Sequence, residues 1–453
     1  MKTIAAIATG NAVGGIGVVR ISGDEAIAVA DKVFKSADST PLSSLKGYRA
    51  KFGNIIEKGK AIDNAVALVF RGPKSYTGED VVELSVHGGL LIVQKTLQAV
   101  LSAGAVPAQA GEFTKRAFLN GKMDLTQAES VADLISSQGE ENMKASFNAL
   151  QGSLSKTINS VLERLLDCSA LMAAWVDYPD EEIEELSNDK LIDTLSQVRS
   201  QLDTLLKNYD CGQAVTNGID TAIVGRPNVG KSSLMNMLSG TDKSIVTHIE
   251  GTTRDVVEGD VTLGGIVLHL RDTAGIRQSD DVVESIGIEK AYNALDNAQL
   301  VLAVFDSSKP IDEKDVELAE MCAGKAAVAV INKTDLHAEF DIDKIKDRFK
   351  KTVYICAKDS VGLEDLSRCV NELMGVAEFD SSAPMLANAR QKQNCQNAYD
   401  EICQALDGAK SGMTFDAINV MIDSAADELL SLTGRKATTE VVNNIFSKFC
   451  VGK

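Results

Sequence analysis

The sequence predicts a multidomain α+β protein: a small N-terminal α/β domain, then a discontinuous helical domain into which a second α/β domain with a parallel sheet is inserted. Three observations predict it. From near Gly212, short apolar runs alternate with helical stretches, the pattern of a sheet covered by helices on both faces. On either side of that region the apolar periodicity is helical over long stretches. The residues beyond about Ala383 are too few to bury a core of their own, so helices before and after the insertion are expected to share one.

Each segment follows in order. Residues 1–120 mix β-like runs (Thr3 to Thr9, Gly17 to Ile21, Ala65 to Phe70, Val81 to Val86) with helical ones (Ala26 to Phe34, Leu91 to Ser102), which reads as a small domain of its own. Residues 121–215 are the first part of the helical domain; Leu191, Leu195, Val198, Leu202, Leu205 and Tyr209 make one apolar stripe that needs a partner. Residues 216–378 carry the apolar runs Thr221 to Val224, Val267 to Leu270, Leu300 to Phe305, Ala327 to Ile331 and Thr352 to Cys356. Residues 379–453 return to helix.

Composition narrows the function classes. The net charge of −18 argues against blanket electrostatic binding of nucleic acid, yet residues 1–120 hold 14 Lys and Arg against 10 Asp and Glu. The chain begins with no basic-then-apolar signal pattern and has no apolar run long enough to span a bilayer, so a cytoplasmic, non-membrane location is expected. The eight cysteines form no C-x-x-C pair and read mostly as small buried hydrophobes.

Chemistry concentrates in the inserted domain. Strand Thr221 to Val224 runs into Gly225-Arg226-Pro227-Asn228-Val229-Gly230-Lys231-Ser232-Ser233, a complete G-x-x-x-x-G-K-S loop opening a helix. Glycines let backbone N–H groups turn to phosphates, Lys231 brings a cation to the β and γ phosphates, and the Ser232 hydroxyl suits Mg²⁺. Asp272-Thr273-Ala274-Gly275 follows a strand and meets the metal and the γ-phosphate. Asn332-Lys333-Thr334-Asp335 follows another; a carboxylate at Asp335 accepts from the N1 and N2 hydrogens of guanine, which adenine lacks. Cys356-Ala357-Lys358 can supply an amide to guanine O6. In this order the elements predict a Ras-like P-loop GTPase domain and resemble the translation-factor-like GTPases.

The position after Gly275, where small signalling GTPases carry a water-orienting glutamine, is Ile276, whose apolar side chain cannot orient water. The polar stretch Arg277 to Glu289 must then supply the group, with Glu284 the leading carboxylate and an exposed helical role its alternative. Thr247-His248-Ile249-Glu250-Gly251-Thr252-Thr253 offers a switch threonine, Thr253, as second protein ligand to Mg²⁺. An amide oxygen at Asn228 could help hold a monovalent cation, K⁺, where other GTPases use an arginine finger.

Outside this domain, Ser75 to Glu83, His87-Gly88-Gly89 and Gly111 to Leu125 are polar without helical or strand periodicity and read as loops, either sites or ordinary turns. Cys450 lies in Phe449-Cys450-Val451-Gly452-Lys453 and is either a mobile nucleophile or a plain exposed thiol.

Taken with Gly14 to Gly23, Val176-Asp177-Tyr178-Pro179 and the four GTPase elements, these segments resemble the MnmE (TrmE) family of tRNA modification GTPases over essentially the whole chain. The resemblance implies a homodimer that works with the flavoprotein MnmG, as a heterotetramer, to add an aminomethyl-type group to C5 of the wobble uridine of certain tRNAs, with 5-formyl- or 5,10-methylene-tetrahydrofolate as cofactor. It places Arg20, Glu83 and Lys122, with Lys453 near them, on folate-binding positions of a folate-binding and dimerising N-terminal domain; Cys450 on the functional cysteine; Asn228, Thr247, Ile249 and Thr252 on K⁺ positions; Ser232 and Thr253 on Mg²⁺ ligands; and Glu284 on the water-activating carboxylate. Three departures stand out: Gly10-Asn11-Ala12-Val13 replaces a Pro-Pro-Gly-Arg segment, Cys356 a serine, and Val451 an isoleucine. A second reading, a GTPase switch in ribosome assembly with a non-catalytic dimerisation domain, needs neither the N-terminal loops nor Cys450.

Overall fold

Alternation of inward and outward side chains lays down the first sheet. Its strands are β1 (Ile4–Ile7), β2 (Ile16–Ser22), β3 (Phe34–Ser36), β4 (Arg49–Glu57), β5 (Lys60–Phe70), β6 (Val81–His87) and β7 (Val106–Pro107), in the spatial order β3-β4-β5-β6-β2-β1-β7. Only β1 and β7 pair in parallel. Helices α1 (Ala26–Val33) and α2 (Leu90–Ser102) cover one face and bury Val19, Ile21, Val82, Leu84 and Val93 with it. On the opposite face Phe113 packs on Ile4 and Ala6 near β1, while Phe52 on β4 and Val66 on β5 stay exposed.

The structure is a computed structural model and describes residues 1–177, 188–240, 259–270, 295, 298–377 and 379–452. The chain forms two units. The first comprises Met1–Ala132, Leu150–Ser196 and Asn397–Lys453, and the second Asp133–Ala149 and Gln197–Gln396.

Two sequence expectations change in the first unit. The stretch Gly111 to Leu125, read as a loop, contains helix α3 (Glu112–Leu119), followed by α4 (Leu125–Ser136). The helical signal is hidden because α3 buries Thr114 and Arg116 beside Phe113 and Ala117, so polar residues occupy its inner face. Strand β4 was likewise not expected; it points Phe52 outward and Gly53 inward, which spoils the usual pattern.

The helices α5 (Glu140–Leu150), α6 (Ser153–Asp177), α7 (Asn188–Lys207) and α8 (Tyr209–Asn217) precede the second sheet; α12 (Ala389–Ser411), α13 (Phe415–Thr433) and α14 (Thr439–Ser447) come after it. The stripe Leu191, Leu195, Val198, Leu202 and Leu205 is fully buried, each such side chain contributing roughly 1.5–3 kcal/mol. Its partner is α12, which runs antiparallel to α7: Asn188 Nδ2 donates to the Ala409 carbonyl (3.1 Å), while Cys395 lies at the Leu202 carbonyl (4.0 Å). Helices α6 and α13 pack together, with Ser169 bonded to Asp423. Helix α14 packs on α4 through Phe446, Val442, Leu125 and Val131.

The second sheet has the order β13-β12-β11-β8-β10-β9, formed by β8 (Ile219–Val224), β9 (Gly259–Leu263), β10 (Ile266–Leu270), β11 (Leu300–Asp306), β12 (Ala327–Asn332) and β13 (Lys351–Tyr354). All its pairs are parallel except β9 with β10, an edge strand the sequence reading lacked. Strands β11 and β12 are buried at every residue, as expected between two helical layers. Helices α9 (Lys231–Ser239), α10 (Glu313–Cys322) and α11 (Leu363–Leu373) complete the unit.

Candidate functional site

Strand β8 delivers the phosphate loop to the carboxyl end of the parallel sheet, where open α/β folds bind ligands. Gly225 and Gly230 have φ of +156° and +102°; a Cβ at Gly225 would lie 2.5 Å from the Val304 carbonyl oxygen, and one at Gly230 2.2 Å from Asn332 Nδ2. Glycine is therefore required at both for backbone conformation and for space. The loop leads through Gly230 into the N-terminus of α9, whose first turn carries Ser232 and Ser233, an arrangement suited to anionic oxygens. Lys231 Nζ donates to the carbonyls of Gly225 (2.7 Å) and Arg226 (2.8 Å), and burial lowers its pKa. Arg226 turns outward and pairs with Asp312 (2.6 Å) and Asp315 (3.0 Å) at the start of α10.

The base-reading elements are tied to that loop. Asn332 Nδ2 donates to the Val229 carbonyl (3.0 Å), while its Oδ1 accepts from the Ala357 amide (3.0 Å). One side chain thus joins the phosphate loop to the Cys356-Ala357-Lys358 loop. Lys333, at φ +67°, donates to the Asn228 carbonyl (2.7 Å) and to the buried Asp306 (2.6 Å). Burial alone would raise the Asp306 pKa, but bonds from Lys333 and Ser308 outweigh it and lower the value. Asp335 is exposed and accepts from the Cys356 thiol (3.4 Å), which also reaches Asp359 (3.2 Å). Burial and these carboxylates push the Cys356 thiol up, so it stays protonated and acts as a donor. The hard hydroxyl oxygen of Ser232 in the first turn of α9 fits Mg²⁺ with a triphosphate.

A second constellation lies in the first unit, on the half-covered sheet face. Arg20 and Glu83 face each other on β2 and β6, and Arg20 Nε donates to Glu83 Oε1 (2.8 Å). The guanidinium sits 5.7 Å from the Tyr76 ring centroid and 5.6 Å from that of Phe113. Its Nη1 donates to the Gly452 carbonyl (3.3 Å). Tyr76 is fixed by a bond to Thr114 (2.9 Å), and burial raises its pKa.

The loop carrying Tyr76 is knitted to α3 by the buried Arg116, which donates to both oxygens of Glu79 (3.1 and 2.9 Å), to Glu112 (2.8 Å) and to the Lys2 carbonyl (2.8 Å). The polar motifs Ser75 to Glu83 and Gly111 to Leu125 therefore serve in large part to frame Arg20. Lys122 bonds elsewhere, to the Pro73 carbonyl (3.0 Å). Cys450 is exposed beside Gly452.

Thr247, His248, Ile249, Glu250, Gly251, Thr252, Thr253, Asp272, Thr273, Ala274, Gly275, Ile276, Glu284 and Lys453 lie outside the described residues, as do Tyr178 and Pro179. Sequence reasoning missed Asp306, Tyr76, Phe113 and Gly452 as parts of these sites. Asp306 was findable, because a buried carboxylate ending an all-apolar strand needs a cation; the others join through contacts too distant in sequence to leave a local signal.

The family described as "MnmE helical domain" matches residues 125–450, and that described as "GTP-binding protein TrmE N-terminus" matches residues 3–122. The tRNA modification GTPase MnmE of Acetivibrio thermocellus is 39% identical over 456 residues, covering 100% of this chain and 99% of that protein. Proteins of the same description from Alkaliphilus oremlandii and Clostridioides difficile are each 38% identical, over 457 and 454 residues, with the same coverage.

Proposed function

The chain belongs to the MnmE family of tRNA modification GTPases, and from that premise we propose that, with the flavoprotein MnmG, it adds a carboxymethylaminomethyl-type group to C5 of the wobble uridine of certain tRNAs. The chain is a GTPase acting in tRNA modification, and its P-loop unit is where GTP binds. The observation that carries the finer reading is the Arg20–Glu83 pair framed by Tyr76 and Phe113, with the Cys450 segment beside it. A pure switch needs no such ion pair beside two aromatic rings. A guanidinium beside two rings suits a flat, anionic one-carbon carrier, and a 5-formyl- or 5,10-methylene-tetrahydrofolate meets that description.

On this reading residues 216–378 turn over GTP, residues 1–120 hold the folate, and the helices of 121–215 and 379–453 connect them. Lys231 and the loop amides hold the phosphates, Asn332 keeps the phosphate and base loops in register, and Asp335 selects guanine. Ser232 and Thr253 would hold Mg²⁺, which would supply positive charge to the triphosphate. Asn228, Thr247, Ile249 and Thr252 would hold K⁺, which would supply the fixed positive charge in place of an arginine finger, with Glu284 orienting water. GTP turnover unchanged on exchanging K⁺ for Na⁺ would remove the ion from this scheme.

A homodimer through the N-terminal domain is supported by the open half of the first sheet. There Tyr48 and Phe52 are about three-fifths exposed, and Phe52 pairs across strands with the exposed Val66. A cytoplasmic location fits a tRNA substrate, and no helix among the described residues is long and apolar enough to cross a membrane.

The test is mass spectrometry of wobble-uridine nucleosides from tRNA treated with the protein, GTP, a tetrahydrofolate donor and glycine or ammonium as the amine, with and without MnmG. Formation of the modified uridine only in the complete mixture is the expected result. Unmodified uridine in cells with and without the protein would leave the ribosome-assembly switch instead.

A further inference from the structure

The segment Phe449 to Gly452 is held by four separate contacts, two to Ala110 and Gly111 ahead of α3 and two to the first sheet. Phe449 is buried. The Gly111 amide donates to the Cys450 carbonyl (3.3 Å), and Val451 makes an antiparallel bridge with Ala110. Gly452, buried at φ +104°, lies so close to β1 that a Cβ would come within 2.2 Å of the Ile7 carbonyl oxygen. Its own carbonyl accepts from Arg20 Nη1 at 3.3 Å. Arg20 in turn has little freedom, because Glu83 holds its Nε while its guanidinium carbon lies within 6 Å of the Tyr76 and Phe113 ring centroids.

We propose that Arg20 is a positioning residue for this segment: its guanidinium clasps the Gly452 carbonyl, and the clasp fixes Cys450 two residues away. The charge-assisted bond is made to a main-chain oxygen and needs no side chain at 452, and glycine alone allows the approach to Ile7 that brings this carbonyl to Arg20. The inference deepens the folate reading, since it gives Arg20 a second duty towards the segment that carries Cys450. It does not need a folate to be tested.

The experiment is hydrogen exchange followed by mass spectrometry on the full chain, without added folate, for the wild type, Arg20→Ala, Arg20→Lys and Gly452→Ala. Peptides covering 445–453 and 106–112 are read together, because the Gly111–Cys450 and Ala110–Val451 contacts join them. Thermal unfolding reports whether each variant is folded.

Arg20→Ala and Gly452→Ala should each speed exchange in both peptides by about tenfold, the loss of one charge-assisted bond in a locally opening segment. Arg20→Lys, which keeps a donor cation, should recover part of the protection. Exchange at the wild-type rate in a folded Arg20→Ala overturns the clasp; should Arg20→Ala not fold, Gly452→Ala decides by the same criterion.

Calorimetric titration with 5-formyl-tetrahydrofolate separates the two readings. Lost binding with unchanged exchange leaves folate recognition and removes the clasp. Faster exchange with unchanged binding keeps the clasp and removes Arg20 from the folate site.

Discussion

In the phosphate loop the chain positions its groups with backbone, whereas around Arg20 it does so with side chains drawn from distant segments. Gly225 and Gly230 sit within one short loop, and their positive φ values aim the amides without help. Arg20 meets Glu83, Phe113 and Gly452 across separations of up to 432 residues. A backbone cradle tolerates no Cβ but makes little demand on neighbouring side chains. A side-chain cradle tolerates single losses yet depends on a buried ion network, Arg116 with Glu79 and Glu112, to keep its walls in place. The two sites should therefore fail differently, one in affinity and the other in stability.

The largest effect is expected at a point where the GTP site relies on a side-chain charge. Asp335→Asn removes the carboxylate that accepts two guanine donors and should weaken GTP binding about a thousandfold, since a site built for those donors leaves them unpaired. Xanthosine triphosphate should then bind better than GTP. Fluorescent-nucleotide titration decides this, and retained guanine preference would show that another group reads the base.

Next comes Gly230→Ala, which forces a methyl group towards Asn332 Nδ2 at 2.2 Å and a residue into φ +102°. Strain plus displacement of Asn332 should cost about 3 kcal/mol, roughly a hundredfold in GTP affinity. A change of less than threefold would break the claim that backbone holds this loop.

How much of each site could be read in the chain follows from the same contrast. The phosphate loop, the Asn332 to Asp335 element and the strands before them were legible, because contiguous residues carry the conformation and all-apolar strands announce a buried sheet. The role of the Cys356 side chain was not; its amide was expected to do the reading, yet its thiol also bonds Asp335. Around Arg20 the residues were named by family resemblance, not by any local pattern. Helix α3 went unread because Arg116 faces inward, and a charged residue is taken as outward unless its counter-ions are known. Strand β9, Gly259–Leu263, was hidden because it starts on a glycine and an aspartate and runs into Gly264 and Gly265, leaving only Val261 and Leu263 as apolar residues.

The side-chain cradle can be weakened at its base. Glu79→Gln keeps the shape of the loop but removes one counter-charge from Arg116, which is buried to 4% exposure. Glu112 remains, so the loss should be about 2–3 kcal/mol rather than the full cost of an unpaired buried ion. Urea unfolding measures it, with GTP affinity unchanged as the mark that the two sites are supported independently. A fall in GTP affinity of tenfold or more would contradict that independence.

The smallest effect tests whether the GTPase unit depends on side-chain charge at its root. His269 on β10 makes two bonds to acceptors: Nδ1 to Asp260 Oδ1 (2.7 Å) on β9 and Nε2 to the Asn217 carbonyl (2.6 Å) at the end of α8. Both ring nitrogens must donate, so the full clasp requires the imidazolium. Burial lowers the pKa of His269, but Asp260, the Asn217 carbonyl and nearby Asp220 outweigh it and raise the value above 6.5. A raised folded-state pKa contributes stability that is fully present below the unfolded value near 6.5 and lost as pH rises through the folded one. The unit should thus lose about 2–4 °C of melting temperature between pH 6 and the mildly alkaline range. His269→Gln, which cannot carry the charge, should flatten that slope, mainly by lowering the melting temperature at the acid end. An equal slope in both proteins would place the pH dependence on other groups and leave the backbone of the β8 strand to anchor the unit alone.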